Sequence, residues 1–398
     1  MKRLILLTIL TLATACSTID SEHPSETVDL PDDNLRELAK VFSQLPLDIC
    51  HVQEVHDAVI SSTSLGYDEE YTMDCLVHEP GSGVGSKEFG TKSGKSYGSP
   101  LRDLLRDYFE QHPTTKGRVE DMMERLASSD YQFYWPSSDS WDGIRMPIIT
   151  FDPGYGAESN YGYELKLQND GSYKADSVYV DERVARKRPV WVLNSNSDAG
   201  FTPLELFAEP RWSGRPQIMV RKGASLPDIR PADAPETKSG RRTRTLLLKS
   251  FRMLRHYDSW FGGASEFWVK CGSVEGFTAS TEAELKLYNP TVTDFYIVVK
   301  RKDLGKELPF DIIMVSDFST QLDRIAFMVT EDDGGSRTNW KCQALVKIES
   351  KSYGVELDIP FNEKDDIVWR GQLTARYFEE EDVVSGRFGD TIINFELD

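Results

Sequence analysis

The chain has 398 residues, with 46 Lys and Arg against 65 Asp and Glu for a formal net charge of −19, and 39% of its residues are hydrophobic. That apolar content is too high for a disordered chain, and no collagen period is present. The acidic balance argues against nucleic acid as a partner, because phosphate neutralisation needs a basic face. The length predicts roughly two domains of about 150 residues each.

Met1-Lys2-Arg3 is a short basic segment, Leu4 to Leu12 an apolar run, and Ala13-Thr14-Ala15 a stretch of small residues ending at Cys16. This is the layout of a secretory signal, and the run is too short for a bilayer span of about 20 apolar residues. A plain signal peptide could end at Ala15. The cysteine directly after it favours a lipoprotein signal peptide over 1–15. The segment is similar to a lipobox, with Ala13 where that motif usually has Leu. The resemblance implies lipidation of Cys16 as the first mature residue, through thioether-linked diacylglycerol and an acyl chain such as palmitate on its amine. Two or more chains, at about 0.8 kcal/mol per buried methylene, would hold the protein to a membrane. Ser17, in place of the Asp that favours the inner membrane, points to the outer membrane of the cell envelope, on its periplasmic or surface-exposed side.

Residues 16–31 are polar and acidic and read as a tether. Asp32 or Asp33 can cap a helix starting near Asn34, whose Leu35, Leu38, Val41, Phe42 and Leu45 recur at helical spacing before Pro46. A second helix is predicted from Asp48 to Ile60. Residues 79–100 form a Gly/Ser/Lys-rich loop. Gly94-Lys95-Ser96 within it falls short of a phosphate-binding loop, because Phe89 stands where the first glycine is needed. Leu101 to Leu126 is helical with a break at Pro113, and from Tyr131 the period changes to strands, with Asn169-Asp170-Gly171 as a hairpin signal. Residues 32–222 are thus expected to form an α+β domain, and 223–245, rich in Pro, Gly and charge, a linker. Residues 246–398 carry eight or nine short alternating runs, among them 265–274, 283–289, 323–332 and 367–378. They predict an all-β antiparallel sandwich domain.

Setting Cys16 aside leaves Cys50, Cys75, Cys271 and Cys342. In an oxidising compartment these would form disulfides, Cys50–Cys75 and Cys271–Cys342 being favoured because each pair falls within one domain. Cys50-His51 and Cys75-x-x-His78 also carry the ligand types of a structural zinc site. His51 and His56 are five apart, not the i, i+4 of a zinc peptidase helix. Carboxylates crowd the sandwich turns at Asp317, Asp323, Glu331, Asp332, Asp333 and Asp365. They could supply the oxygens of a calcium ion, although a chain this acidic has acidic turns in any case. Tyr131, Phe133, Tyr134, Trp135 and Trp141, and separately Tyr257, Trp260 and Phe261, are aromatic clusters that either fill a core or meet a ligand.

The segments LRELAKVF (35–42), LRDLL (101–105), ITFDP (149–153), VDE followed by RPVWVLN (180–194) and DSWFGGASEF (258–267), with the lipobox-like start, resemble Bacteroidota cell-envelope lipoproteins whose function is uncharacterised. The resemblance implies an envelope location and no particular activity. A lipid-anchored binding or interaction protein, with a protein or glycan ligand, is therefore expected. The alternative is an envelope hydrolase acting on peptide or glycan through carboxylates that the sequence does not mark.

Overall fold

A computed structural model describes residues 33–78, 97–112, 118–169, 173–203, 218–221 and 244–398. Cys16, the signal segment, the tether, residues 79–96 of the Gly-rich loop and residues 223–243 of the expected linker lie outside them. The described chain is mostly antiparallel sheet, with its helices confined to the N-terminal part. None of these helices is long and apolar enough to cross a membrane.

The first two helices, α1 (Asp33–Gln44) and α2 (Ile49–Ser64), follow the predicted apolar spacing. In α1 it buries Leu35, Leu38, Ala39 and Phe42. Asp48 caps α2 by accepting from the backbone N–H groups of Cys50 and His51, while His51 Nδ1 accepts from the Asp48 N–H. After β1 (Glu70–Thr72) come the short α3 (Met73–Val77), then α4 (Leu101–Gln111) and α5 (Val119–Ala127). Strands β2 (Tyr131–Tyr134), β3 (Ile148–Phe151), β4 (Ser159–Leu167), β5 (Tyr173–Asp181), the one-turn α6 (Glu182–Ala185) and β6 (Val190–Ser195) follow.

The six strands form one sheet in the order β1-β2-β6-β3-β4-β5, antiparallel except for β3 beside β6. Strand periodicity splits its side chains between two apolar layers. Phe133, Ile149, Trp191 and Leu193 pack under the helices with Phe42, Val55 and Leu105. Tyr134, Ile148, Val190 and Val192 form the opposite layer together with Trp260 and Phe261, from much later in the chain.

The rest is built from two further antiparallel sheets. The larger has the order β15-β14-β13-β10-β11-β8-β7, with β16 also on β13. Its strands are β7 (Phe201–Pro203), β8 (Ile218–Arg221), β10 (Ser265–Ser273), β11 (Thr291–Val299), β13 (Leu322–Glu331), β14 (Arg337–Ile348), β15 (Lys351–Asn362) and β16 (Asp366–Thr374). The smaller has the order β12-β9-β18-β17, from β9 (Leu246–Met253), β12 (Leu308–Val315), β17 (Val383–Phe388) and β18 (Thr391–Leu397). One core fills the space between them, with Leu248, Phe251, Ile393 and Phe395 from the small sheet meeting Val269, Cys271, Phe327 and Val329 from the large one. This packing fits the expected sandwich. Strands β7 and β8, which precede the expected linker, belong to the large sheet, with β7 at its edge and β8 between β7 and β11.

The segment expected as a strand at 283–289 is instead a 3₁₀ turn at Glu282–Leu287, with Leu287 exposed. Glu284 accepts from the Ser280 N–H, which closes the chain locally, and Asn289-Pro290 ends the run.

No disulfide joins Cys50, Cys75, Cys271 and Cys342, so the expected pairings are corrected. Cys50 is exposed on α2, whereas Cys75 packs against the helical core. Cys271 lies within the sandwich core on β10, where burial pushes its thiol far up. Cys342 sits on β14, and β13 stands between those two strands in the sheet. Two strand spacings, about 9.6 Å, exceed the Cα separation that a disulfide spans.

Candidate functional site

The loop DSWFGGA (258–264) leads into β10 and joins the sandwich to the six-stranded sheet. Trp260 and Phe261 are fully buried in the layer described above, so this aromatic pair is core. Trp260 Nε1 donates to the Glu158 carbonyl at 3.1 Å, and Asn194 Nδ2 donates to the carbonyls of Phe261 and Gly262 at 2.9 Å each. The Ala264 N–H donates to Asp68 Oδ2 at 3.1 Å. Gly263 has φ +110°, and a Cβ there would stand 2.8 Å from the same Asp68 oxygen. Only glycine suits both the conformation and the close approach. At the start of the loop, the Tyr257 N–H donates to Ser265 Oγ and Arg301 donates to the Asp258 carbonyl. These bonds fix the Asp258 backbone beside the mouth of β10.

There Asp258, Glu266 and Glu331 each offer one carboxylate oxygen, all within 4.8 Å of one another. Among the described residues this is the group of acidic, His and Cys side chains close enough to hold an ion. Glu266 is on β10, on the face shared by Trp268 and Lys270, while Phe267, Val269 and Cys271 alternate into the sandwich core. Glu331 ends β13, opposite Phe267 in the register. Glu266 is 5% exposed and Glu331 1%. Asp332, the next residue, donates its N–H to the Glu266 carbonyl and accepts from Trp268 Nε1 and Asn362 Nδ2.

The three carboxyls are all held above the usual carboxylate range, first by burial. The charges of Asp258 and Glu331 add to this at Glu266, and at Glu331 a hydrogen bond with Asp258 does so, followed by the charges of Asp258, Asp333 and Asp366. A hydrogen bond with Glu331, and then Arg301, offset the shift at Asp258. Burial also lifts Asp333, at the exposed rim, to about 6. The Asp258 and Glu331 carboxyls hydrogen-bond to one another. The Tyr296 hydroxyl is buried with no hydrogen-bond partner, on a side chain 1% exposed, and the acid that acts on it most strongly is Glu266. Such an arrangement can retain protons or accept a hard cation in their place.

Of the carboxylates expected to share a calcium ion, the structure gathers Glu331, Asp332, Asp333 and Asp365 at one end of β13. Asp365 there accepts from the Asn362 N–H. Asp317 and Asp323 lie at the opposite end, about 30 Å away along a ten-residue strand. Asp323 pairs with Lys347 at 3.0 Å and accepts from Ser352, which holds its carboxyl below the usual range. The histidines of the zinc alternative are engaged locally, His51 in the α2 cap and His78 with Asp74 at 2.7 Å. Asp258 and Glu266 escaped the sequence reading. The signal for Glu266 was a carboxylate within an otherwise apolar strand run.

No protein-family model matches the chain, and no curated protein matches it.

Proposed function

We propose that the chain is a lipid-anchored protein of the cell envelope, held at the outer membrane through Cys16, whose body works by binding and not by chemistry. The anchor is carried by the apolar run Leu4–Leu12 ending in Ala15-Cys16. Burial of the acidic triad supports binding over catalysis. Oxygens within 4.8 Å of each other would otherwise suit the paired carboxylates of a retaining glycosidase. A glycan or peptide must reach such a pair, and Glu266 and Glu331 are covered by their own sheet and loops. A helix-bearing unit and a sandwich, joined through the 258–264 loop, make up the proposed body.

Mass spectrometry of the membrane fraction tests the anchor. The expected N-terminal peptide starts at an acylated Cys16, and an intact Met1 in a soluble fraction overturns the localisation. Turnover of an envelope glycan or peptide that disappears in Glu331→Gln overturns the non-catalytic reading.

A further inference from the structure

We infer that Asp258, Glu266 and Glu331 form a calcium site at the junction of the sandwich with the six-stranded sheet. This goes beyond the proposed function and does not depend on the anchor. Three observations carry it. Donor oxygens within 4.8 Å of one another leave a point no more than about 2.8 Å from all three, so one ion with the 2.3–2.6 Å bonds of calcium can reach every donor with little movement. The donors are oxygen alone, which selects a hard cation over zinc or copper. Finally, a polar group from outside the acidic cluster, the Tyr296 hydroxyl on β11, has no hydrogen-bond partner although its side chain is almost wholly buried, and it stands opposite Trp268 in the register, on the Glu266 face of the sheet. A buried polar atom without a partner is costly, so an occupant that bonds it is favoured.

Asp333 and Asp366 are exposed beside the triad, Asp366 standing opposite Glu331 in the β13–β16 register. They form an acidic mouth through which a cation can enter and could complete its coordination.

The test titrates the full mature chain with terbium, a calcium surrogate whose emission is excited through a nearby indole. Trp268, two residues from Glu266 on the same strand face, is positioned to supply it. The expected result is one saturable terbium per chain, displaced by calcium, with at least tenfold weaker binding in Glu331→Gln and in Asp258→Asn. Calcium should also raise the thermal midpoint of the unsubstituted protein relative to chelator, and this rise should vanish in both variants. Glu331→Gln keeps the side-chain shape and its hydrogen-bonding capacity, so it should fold. Asp258→Asn gives the same readout on the loop side. Undiminished terbium affinity in both variants, or a midpoint indifferent to calcium, overturns the assignment.

Discussion

Trp260→Ala should separate the unfolding of the six-stranded sheet from that of the sandwich. Trp260 is 1% exposed and, with Phe261, is the contribution of the later chain to a layer otherwise made by Tyr134, Ile148, Val180, Ala185, Val190 and Val192. Truncating a buried Trp to Ala costs about 3–5 kcal/mol where the cavity cannot collapse. The wall that Trp260 packs on is the six-stranded sheet, which limits collapse. Loss of the 3.1 Å bond to the Glu158 carbonyl adds about 1 kcal/mol. Trp260→Phe, which keeps a ring but loses that bond, should cost only about 1–2 kcal/mol. Urea unfolding followed by both circular dichroism and tryptophan fluorescence reads the outcome. The unsubstituted protein should give one coincident transition, and Trp260→Ala two, because the loop is a principal apolar tie across the seam. A shift below about 1 kcal/mol with coincident transitions would refute the argument that this side chain couples the two parts.

Three further outcomes follow from local packing and charge. Glu69, 4% exposed and 3.4 Å from Lys302, has its carboxyl pushed up to about 7 by burial. A raised folded-state value means that its stabilising contribution is complete below about pH 4.5 and is lost as the pH rises through 7. The stability of Glu69→Gln relative to the unsubstituted protein should therefore increase by up to about 3 kcal/mol over that window, measured by urea unfolding at each pH. Gly162→Ala would place a Cβ 2.8 Å from methyls of both Ile148 and Val180 and 3.1 Å from the Ile149 carbonyl oxygen, and should destabilise by about 1–3 kcal/mol in thermal melts. In the native protein Ellman's reagent should label the exposed Cys50 and leave Cys271 untouched until the sandwich unfolds.

The regular elements were legible because their burial follows local periods. Leu35, Leu38 and Phe42 mark a helix face, and the alternation of Trp191 and Leu193 with Val190 and Val192 marks a strand buried on both sides. Strand β9 was less visible, since Leu246–Met253 adjoins the charged run 241–244 and opens with three consecutive leucines that show no alternation. The 3₁₀ turn at 282–287 fell to a capping carboxylate that competed with the strand pattern. The disulfides failed for another reason. Cysteine counting says nothing of which face each thiol takes, and Cys271 follows strand alternation into a dry core. The triad was half legible. Glu331 stood out in an acidic turn, whereas Glu266 is brought to it by the pairing of β10 with β13 and Asp258 by the loop that leads into β10, more than sixty residues away in sequence.

The charges along the seam are not distributed alike, and that contrast singles out the triad. Lys300, Arg301 and Lys302 follow β11 in succession. Lys302 pairs with Glu69, Arg301 reaches Glu182 at 3.5 Å, and Asp68 is the acid that acts most strongly on Lys300. On this side the acids of the first sheet are met by bases of the sandwich, and the buried charge is largely compensated. Within the triad, the basic side chain acting on Asp258 is Arg301, and its effect comes after that of the Glu331 hydrogen bond. After burial, the forces on Glu266 are repulsions from other acids, and those on Glu331 are a hydrogen bond with Asp258 followed by repulsion from Asp258, Asp333 and Asp366. Leucine or glutamine at those places would avoid the cost of burying like charges, so stability alone gives no reason for three carboxyls to converge there. A divalent cation supplies that reason, because it turns the same repulsive geometry into a set of bonds that holds the loop of Asp258 to strands β10 and β13.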